Sequence, residues 1–150
     1  MSNVFAKLNL KDHKKIVVLN SPDSFESELA GLKGLEIIRD LKKAKELAFA
    51  LAFVTTQEQV NALAPEIARK AEGDAILWLA YPKGTSKKYK SQINRDKGWN
   101  ALGQEGFEPV RMVAIDQDWS AIRFRRVKFI KNLTRAKEYR LTERGKKLPG

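Results

Sequence analysis

The stretch LAFALAFVTTQEQVNALAPEIARKAEGDAILWLA, Leu47–Ala80, decides the fold. Its opening run, Leu47–Val54, is apolar throughout and reads as a strand buried on both faces, although its alanines leave a helix open. Thr55 or Thr56 then caps a helix. Val60, Leu63, Ala64, Ile67, Ala68 and Ala71 form an apolar stripe along it. Pro65 predicts a kink or a later start, and Gly73 predicts the stop. Ala75–Ala80 is a second continuous apolar strand. Strand, amphipathic helix, strand is the repeating unit of a parallel sheet covered by helices.

The same alternation extends outward in both directions. Upstream, Ile16–Leu19 is a short β-branched strand. Ser21 is placed to cap a helix and Pro22 to open it. That helix carries Phe25, Leu29 and Leu32 and ends at Gly31 and Gly34. Leu35–Ile38 reads as another strand, and Leu41–Lys45 as a basic connection. Downstream, Tyr81–Tyr89 is a polar, basic loop, and a helix is expected over Ile93–Gln104, broken at Gly106. Val110–Ile115 and Trp119–Val127 are strands joined by Asp116-Gln117-Asp118. The alternation Ile122-Arg123-Phe124-Arg125 marks a half-exposed antiparallel hairpin. The fold class that follows is α/β, a doubly wound and mostly parallel sheet with an antiparallel C-terminal hairpin. Residues 1–129 read as a single domain and residues 130–150 as a basic C-terminal extension. A chain of 150 residues with 43% hydrophobic content suits one core.

Charge is distributed unevenly along this chain. Residues 1–82 carry 11 Lys+Arg and 11 Asp+Glu, whereas residues 83–150 carry 18 and 7. The excess gathers in residues 83–97, with six bases and one acid, and in residues 128–150, with eight and two. A neutral scaffold presenting basic segments points to an anionic partner, nucleic acid or a phosphorylated ligand. The chain has no Cys, which excludes disulfide and thiolate chemistry. Its longest apolar run falls far short of the roughly 20 residues that span a bilayer. Met1–Lys7 lacks the basic start and apolar stretch of a signal peptide. A cytoplasmic location with no membrane partner is therefore expected.

Two stretches carry a resemblance. One is Trp78-Leu79-Ala80-Tyr81-Pro82-Lys83. The other is Asp116-Gln117-Asp118-Trp119-Ser120-Ala121-Ile122-Arg123-Phe124. The pair Trp-x-x-x-Pro-Lys and Asp-x-x-Trp-Ser-x-x-Arg-Phe resembles a small bacterial family of unknown function, over roughly residues 5–127. That resemblance implies a trimmed, methyltransferase-like Rossmann fold and supplies no reaction. A cofactor-binding Rossmann turn uses glycines for close backbone approach. The corresponding turn here, Leu19–Phe25, has none, and Asp40 is the nearest acid after the second strand. S-adenosylmethionine or a dinucleotide is not expected in the usual manner, and no cofactor is assigned.

In doubly wound sheets ligands bind outside the carboxyl ends of the strands. The loops expected there are Asn20–Asp23, Arg39-Asp40, Thr55-Thr56 and Tyr81–Ser86. They offer Asn20, Ser21, Asp40, Thr55, Lys83, Thr85, Ser86 and Lys87 as candidate ligand-binding residues. Lys83–Lys88 combines a flexible Gly84, two hydroxyls and three ammonium groups suited to phosphate or carboxylate, yet it lacks the P-loop order. Lys88, Trp119, Arg123, Arg125 and Arg126 are candidate nucleic-acid contacts through phosphates and stacking. Arg123 is equally placed to pair with Asp116 or Asp118 across the hairpin. His13 is the sole His, so zinc lacks its usual ligands. Asp116 and Asp118 suit their own turn better than a magnesium ion. Ser21, Ser86 and Ser120 have no evident base. The leading reading is a non-catalytic binding domain for an anionic partner. A divergent transferase of the same fold, and an interaction module forming a homo-oligomer through the hairpin edge or the tail, stay open beside it.

Overall fold

The computed structural model describes residues 3–150. Its sheet is built on β3 (Leu47–Phe53), the apolar run of the sequence. Ala50, Ala52 and the following Val54 face one side of the sheet, while Phe49, Leu51 and Phe53 face the other. The small side chains let a helix approach closely, and the phenylalanines fill the opposite layer. β1 (Lys15–Leu19) lies beside β3 and β2 (Glu36–Ile38) beside β1, both parallel. On the other side β3 pairs in parallel with β4 (Ala71–Pro82). β5 (Phe107–Ala114) and β6 (Trp119–Arg126) form the hairpin, and β6 inserts antiparallel between β4 and β5. The order is β2-β1-β3-β4-β6-β5. The order in which strands are added reverses between β1 and β3, whose chains run parallel, and this is the switch point of a doubly wound sheet.

Helices cover both faces. α1 (Asn3–Lys7) and α2 (Glu26–Ala30) lie over Phe49, Phe53, Trp78 and Trp119. α3 (Gln57–Lys70) and α4 (Asn100–Gln104) lie over Leu77, Leu79, Ile122 and Phe124. The three-layer α/β architecture expected from the sequence is the one observed.

Several boundaries differ from expectation. Ser21 makes no cap; after Pro22 a 3-10 turn, Asp23–Phe25, leads into α2. Pro65 neither delays nor ends α3, which starts at a capping box formed by Thr56 and Gln59. α3 ends at Lys70, before Gly73, and the chain passes directly into β4. The helix expected over Ile93–Gln104 shrinks to α4. Gly98 takes φ +107°, and a Cβ there would sit 2.2 Å from Ile93 Cγ2. The left-handed residue breaks the helix and lets Ile93 and Trp99 both enter the core. Trp99 closes this turn by donating from Nε1 to the Asn94 carbonyl at 2.8 Å.

The basic tail folds back onto the start of β5. Arg140 is buried and donates to the carbonyls of Leu133, Arg135, Gly145 and Leu148 at 2.6 to 3.0 Å. Glu108, fully buried, accepts from the amides of Leu141 and Thr142 and from the Thr142 hydroxyl. α5 (Glu143–Lys146) follows, with Gly145 pressed against this carboxylate; a Cβ there would lie 2.0 Å from Glu108 Oε2. Two buried charges thus organise a segment that has little apolar surface of its own. Among the described residues, no helix is long and apolar enough to cross a membrane.

Glu108→Ala strands several buried donors and is expected to cost about 3 kcal/mol in urea unfolding. It should also open residues 131–150 to limited proteolysis. Glu108→Gln keeps a carbonyl acceptor and should recover part of the loss. Wild-type stability and protease resistance in Glu108→Ala would contradict this role.

Candidate functional site

The switch point is lined by the ends of β1, β2 and β3, and several of its polar groups are engaged within the fold. Asn20 follows β1 in the left-handed region, at φ +58°, and its side chain is exposed. Arg39, just past β2, makes a double contact with Glu26 at 2.8 and 3.0 Å and reaches Ser21 Oγ at 3.3 Å. That pair ties α2 to the end of β2. Hydrogen bonding to Arg39 holds the Glu26 carboxyl below its ordinary range, and the same bond raises the Arg39 guanidinium. Asp40 accepts from the Lys42 amide at 3.0 Å and so caps its own 3-10 turn. The amides of Thr55 and Thr56 both donate to Gln59 Oε1, at 2.7 and 3.1 Å. The Thr55 carbonyl accepts from the Gln92 amide at 2.9 Å. Gln92 Oε1 takes the Gln57 amide in turn, at 3.0 Å.

This arrangement does not fit S-adenosylmethionine. The turn after β1 has no glycine, and the helix behind it is short. A basic residue, Arg39, occupies the end of β2 and is locked to Glu26. Asp40 Oδ1 and the Thr55 amide make hydrogen bonds within the fold. Asn20, Ser21, Asp40 and Thr55 are brought to one end of the sheet, as expected, but not as a free set of ligands.

Lys83–Lys90 adjoins this end and behaves differently. Here the two motif stretches turn out to be partners: Trp78 lies opposite Arg123, Tyr81 opposite Ser120 and Pro82 opposite Trp119. The Lys83 amide continues the ladder to the Asp118 carbonyl at 2.8 Å. Ser86 donates to Asp118 Oδ1 at 2.8 Å and accepts from the Tyr89 amide. Asp116 accepts the amides of Asp118 and Trp119 and shapes the hairpin turn. The loop backbone is therefore fixed, while Thr85, Lys87, Lys88 and Lys90 are exposed and Lys83 is partly so. Among the described residues, no carboxylate lies within 4 Å of any of these ammonium groups. Lys88 Nζ sits 5.5 Å from the centre of the Tyr89 ring, which packs on Trp119 at 4.9 Å.

The hairpin residues need correction as outside contacts. Trp119 is only 3% exposed, held between Phe53 and Tyr89, and offers no stacking face. Arg125 pairs with Asp74 through two nitrogens, which raises its guanidinium. Arg126 donates to the Ala68 carbonyl at 2.7 Å and covers the Phe107 ring. Arg123 pairs with neither Asp116 nor Asp118. It lies opposite Arg111, its Nε is buried without a partner, and burial pushes its pKa down. Among the described residues, no three His, Cys, Asp or Glu side chains gather as a metal site. The Thr56-x-x-Gln59 spacing was readable as a capping box. The Arg39–Glu26 and Gln57–Gln92 contacts had no comparable signal, because they join distant segments.

No family model matches the chain, and no curated protein matches it. Solved structures do. A SAM-dependent methyltransferase from Aquifex aeolicus aligns at TM-score 0.54 and 13% identity, covering 82% of this chain and 87% of its own. A type 11 methyltransferase, so described provisionally, from Sulfolobus solfataricus aligns at TM-score 0.45 and 8% identity, covering 75% and 84%. The N-methyltransferase NodS from Bradyrhizobium japonicum aligns at TM-score 0.43 and 14% identity, covering 75% and 74%. The fold is methyltransferase-like and Rossmann-like.

S-adenosylmethionine and its demethylated product are expected to leave the thermal midpoint unchanged; a saturable rise would contradict the misfit described above. Glu26 has a depressed folded pKa. Its contribution is therefore present above the unfolded value and is lost as pH falls through the folded one. Arg39→Gln should move the Glu26 midpoint up toward the ordinary carboxylate value, read by carboxyl carbon NMR. An unmoved midpoint would remove Arg39 as the cause.

Proposed function

We propose that this protein is a non-catalytic binding domain that uses a methyltransferase-like fold to present the Lys83–Lys90 loop to a polyanion, nucleic acid above all. One observation carries the reading: Lys83, Lys87, Lys88 and Lys90 stand on an anchored loop with no carboxylate partner. Fixing the backbone reduces the ordering cost of binding, and unpaired ammonium groups are free to replace phosphate counterions. The tail lysines Lys128, Lys131, Lys137 and Lys147 are also exposed, but the tail is anchored at Glu108, at the other end of the hairpin from the loop. Hairpin arginines contribute little, since Arg125 and Arg126 are engaged within the fold. A divergent transferase is supported by fold analogy alone, which does not carry an activity. The engaged polar groups around Ser21, Arg39 and Thr55 weigh against it.

The test is fluorescence anisotropy with labelled single-stranded and duplex DNA across a salt series. Binding is expected to be tight at low salt and to weaken steeply as salt rises. Changing Lys83, Lys87, Lys88 and Lys90 to Gln should flatten the log–log salt slope by about 0.7 for each lysine that meets a single-strand phosphate. Absence of binding at low salt, or an unchanged slope in the variant, would overturn the proposal.

A further inference from the structure

A second feature lies at the outer edge of the sheet, away from the lysine loop. There β5, β6, the turn at Arg95-Asp96 and the tail around Arg135–Tyr139 line an open cavity of about 410 Å³. Met112 and Ile122 are part of its wall, and they are register partners on one face of the hairpin. Met112 and Tyr139 are the only large hydrophobic side chains exposed among the described residues, each at 46%, and both line this one cavity. The buried Tyr81 donates its hydroxyl to Met112 Sδ at 3.2 Å, which fixes the thioether in place.

The rim is cationic. Arg95 and Arg135 share a single carboxylate, Asp96, at 3.2 and 3.4 Å. The next acid, Glu108, is spent on the amides of Leu141 and Thr142. Arg135 is only 14% exposed along its side chain, and its Nε is buried without a hydrogen-bond partner. The volume falls within the range of small-molecule sites, which combine apolar walls with a few directed polar groups.

We propose that this cavity binds a small aromatic anion, its ring between Met112 and Tyr139 and its carboxylate or phosphate on Arg95 and Arg135. Aromatic and thioether groups favour a flat ring, and paired guanidiniums favour a planar or tetrahedral oxyanion. The site is independent of the lysine loop and does not rest on the polyanion reading.

The sequence supplies a clean reporter, because Met1 and Met112 are its only methionines. With 13C-methyl methionine the Met112 signal is assigned by its disappearance in Met112→Leu. Phenyl phosphate and phenylacetate are the probes, with benzyl alcohol and inorganic phosphate as controls. At least one aromatic anion is expected to shift the Met112 methyl saturably, and the stronger of the two identifies the head group. Benzyl alcohol and phosphate should shift it far less. Tyr139→Ala and Arg95→Gln alter exposed side chains and should each weaken binding at least fivefold. The four-lysine variant should titrate like the parent protein, so failure here and failure of the loop reading are distinguishable. No saturable shift up to about 10 mM, an equal response to benzyl alcohol, or indifference to both variants would overturn the proposal.

Discussion

The antiparallel pairing of β4 with β6, from Leu77–Phe124 to Pro82–Trp119, is the constraint on which the rest depends. It sends Trp78 and Trp119 into one core layer and Leu77, Leu79, Ile122 and Phe124 into the other. It also sets the hairpin turn beside the end of β4. There the Lys83 amide and the Ser86 hydroxyl both find Asp118. A loop that would otherwise be mobile inherits the rigidity of the sheet centre. On the far side, β6 holds β5 at the sheet edge, where the tail lines a cavity with Met112 and Ile122. Both Trp motifs of the sequence belong to this one ladder.

Charge and polarity are divided within the carboxyl end of the sheet. Around the switch point, donors and acceptors face each other: Arg39 with Glu26, Asp40 with the Lys42 amide, Gln59 with Thr55 and Thr56. A ligand contacting Arg39, Asp40 Oδ1 or the Thr55 amide there would compete with these protein bonds. Along Lys83–Lys90 no ion pair needs to be broken, because no carboxylate among the described residues holds these ammonium groups. The fold is methyltransferase-like, and the exposed lysines of the 83–90 loop lie beside the switch point.

Much of the sheet was legible because buried strands leave a strong mark. Ile16–Leu19, Leu47–Val54 and Ala75–Ala80 are apolar on both faces, and the hairpin alternates around a three-residue turn. Helix ends were less legible. Gly98 breaks the helix expected over Ile93–Gln104 by a local φ that composition does not reveal, and Pro65 was tolerated within α3. The site was legible only as a charge density. Nothing in the residue types says that Lys87 and Lys88 face water while Arg125, Arg126, Arg135 and Arg140 turn toward protein partners. That division follows from guanidinium geometry: a planar fork reaches several carbonyls at once, as Arg140 does, whereas lysine remains solvated at low cost. Burial of Trp119 was hidden for a similar reason, since its cover, Phe53 and Tyr89, comes from distant segments.

Amide NMR mapping during titration with a short single-stranded oligonucleotide addresses the division directly. Saturable shifts centred on residues 83–90, with Asn20, Asp40 and Thr55 unmoved, are the expected result. Shifts centred on Asn20, Asp40 and Thr55, with the lysine loop silent, would mean that the crevice is open after all and that the binding surface has been misplaced.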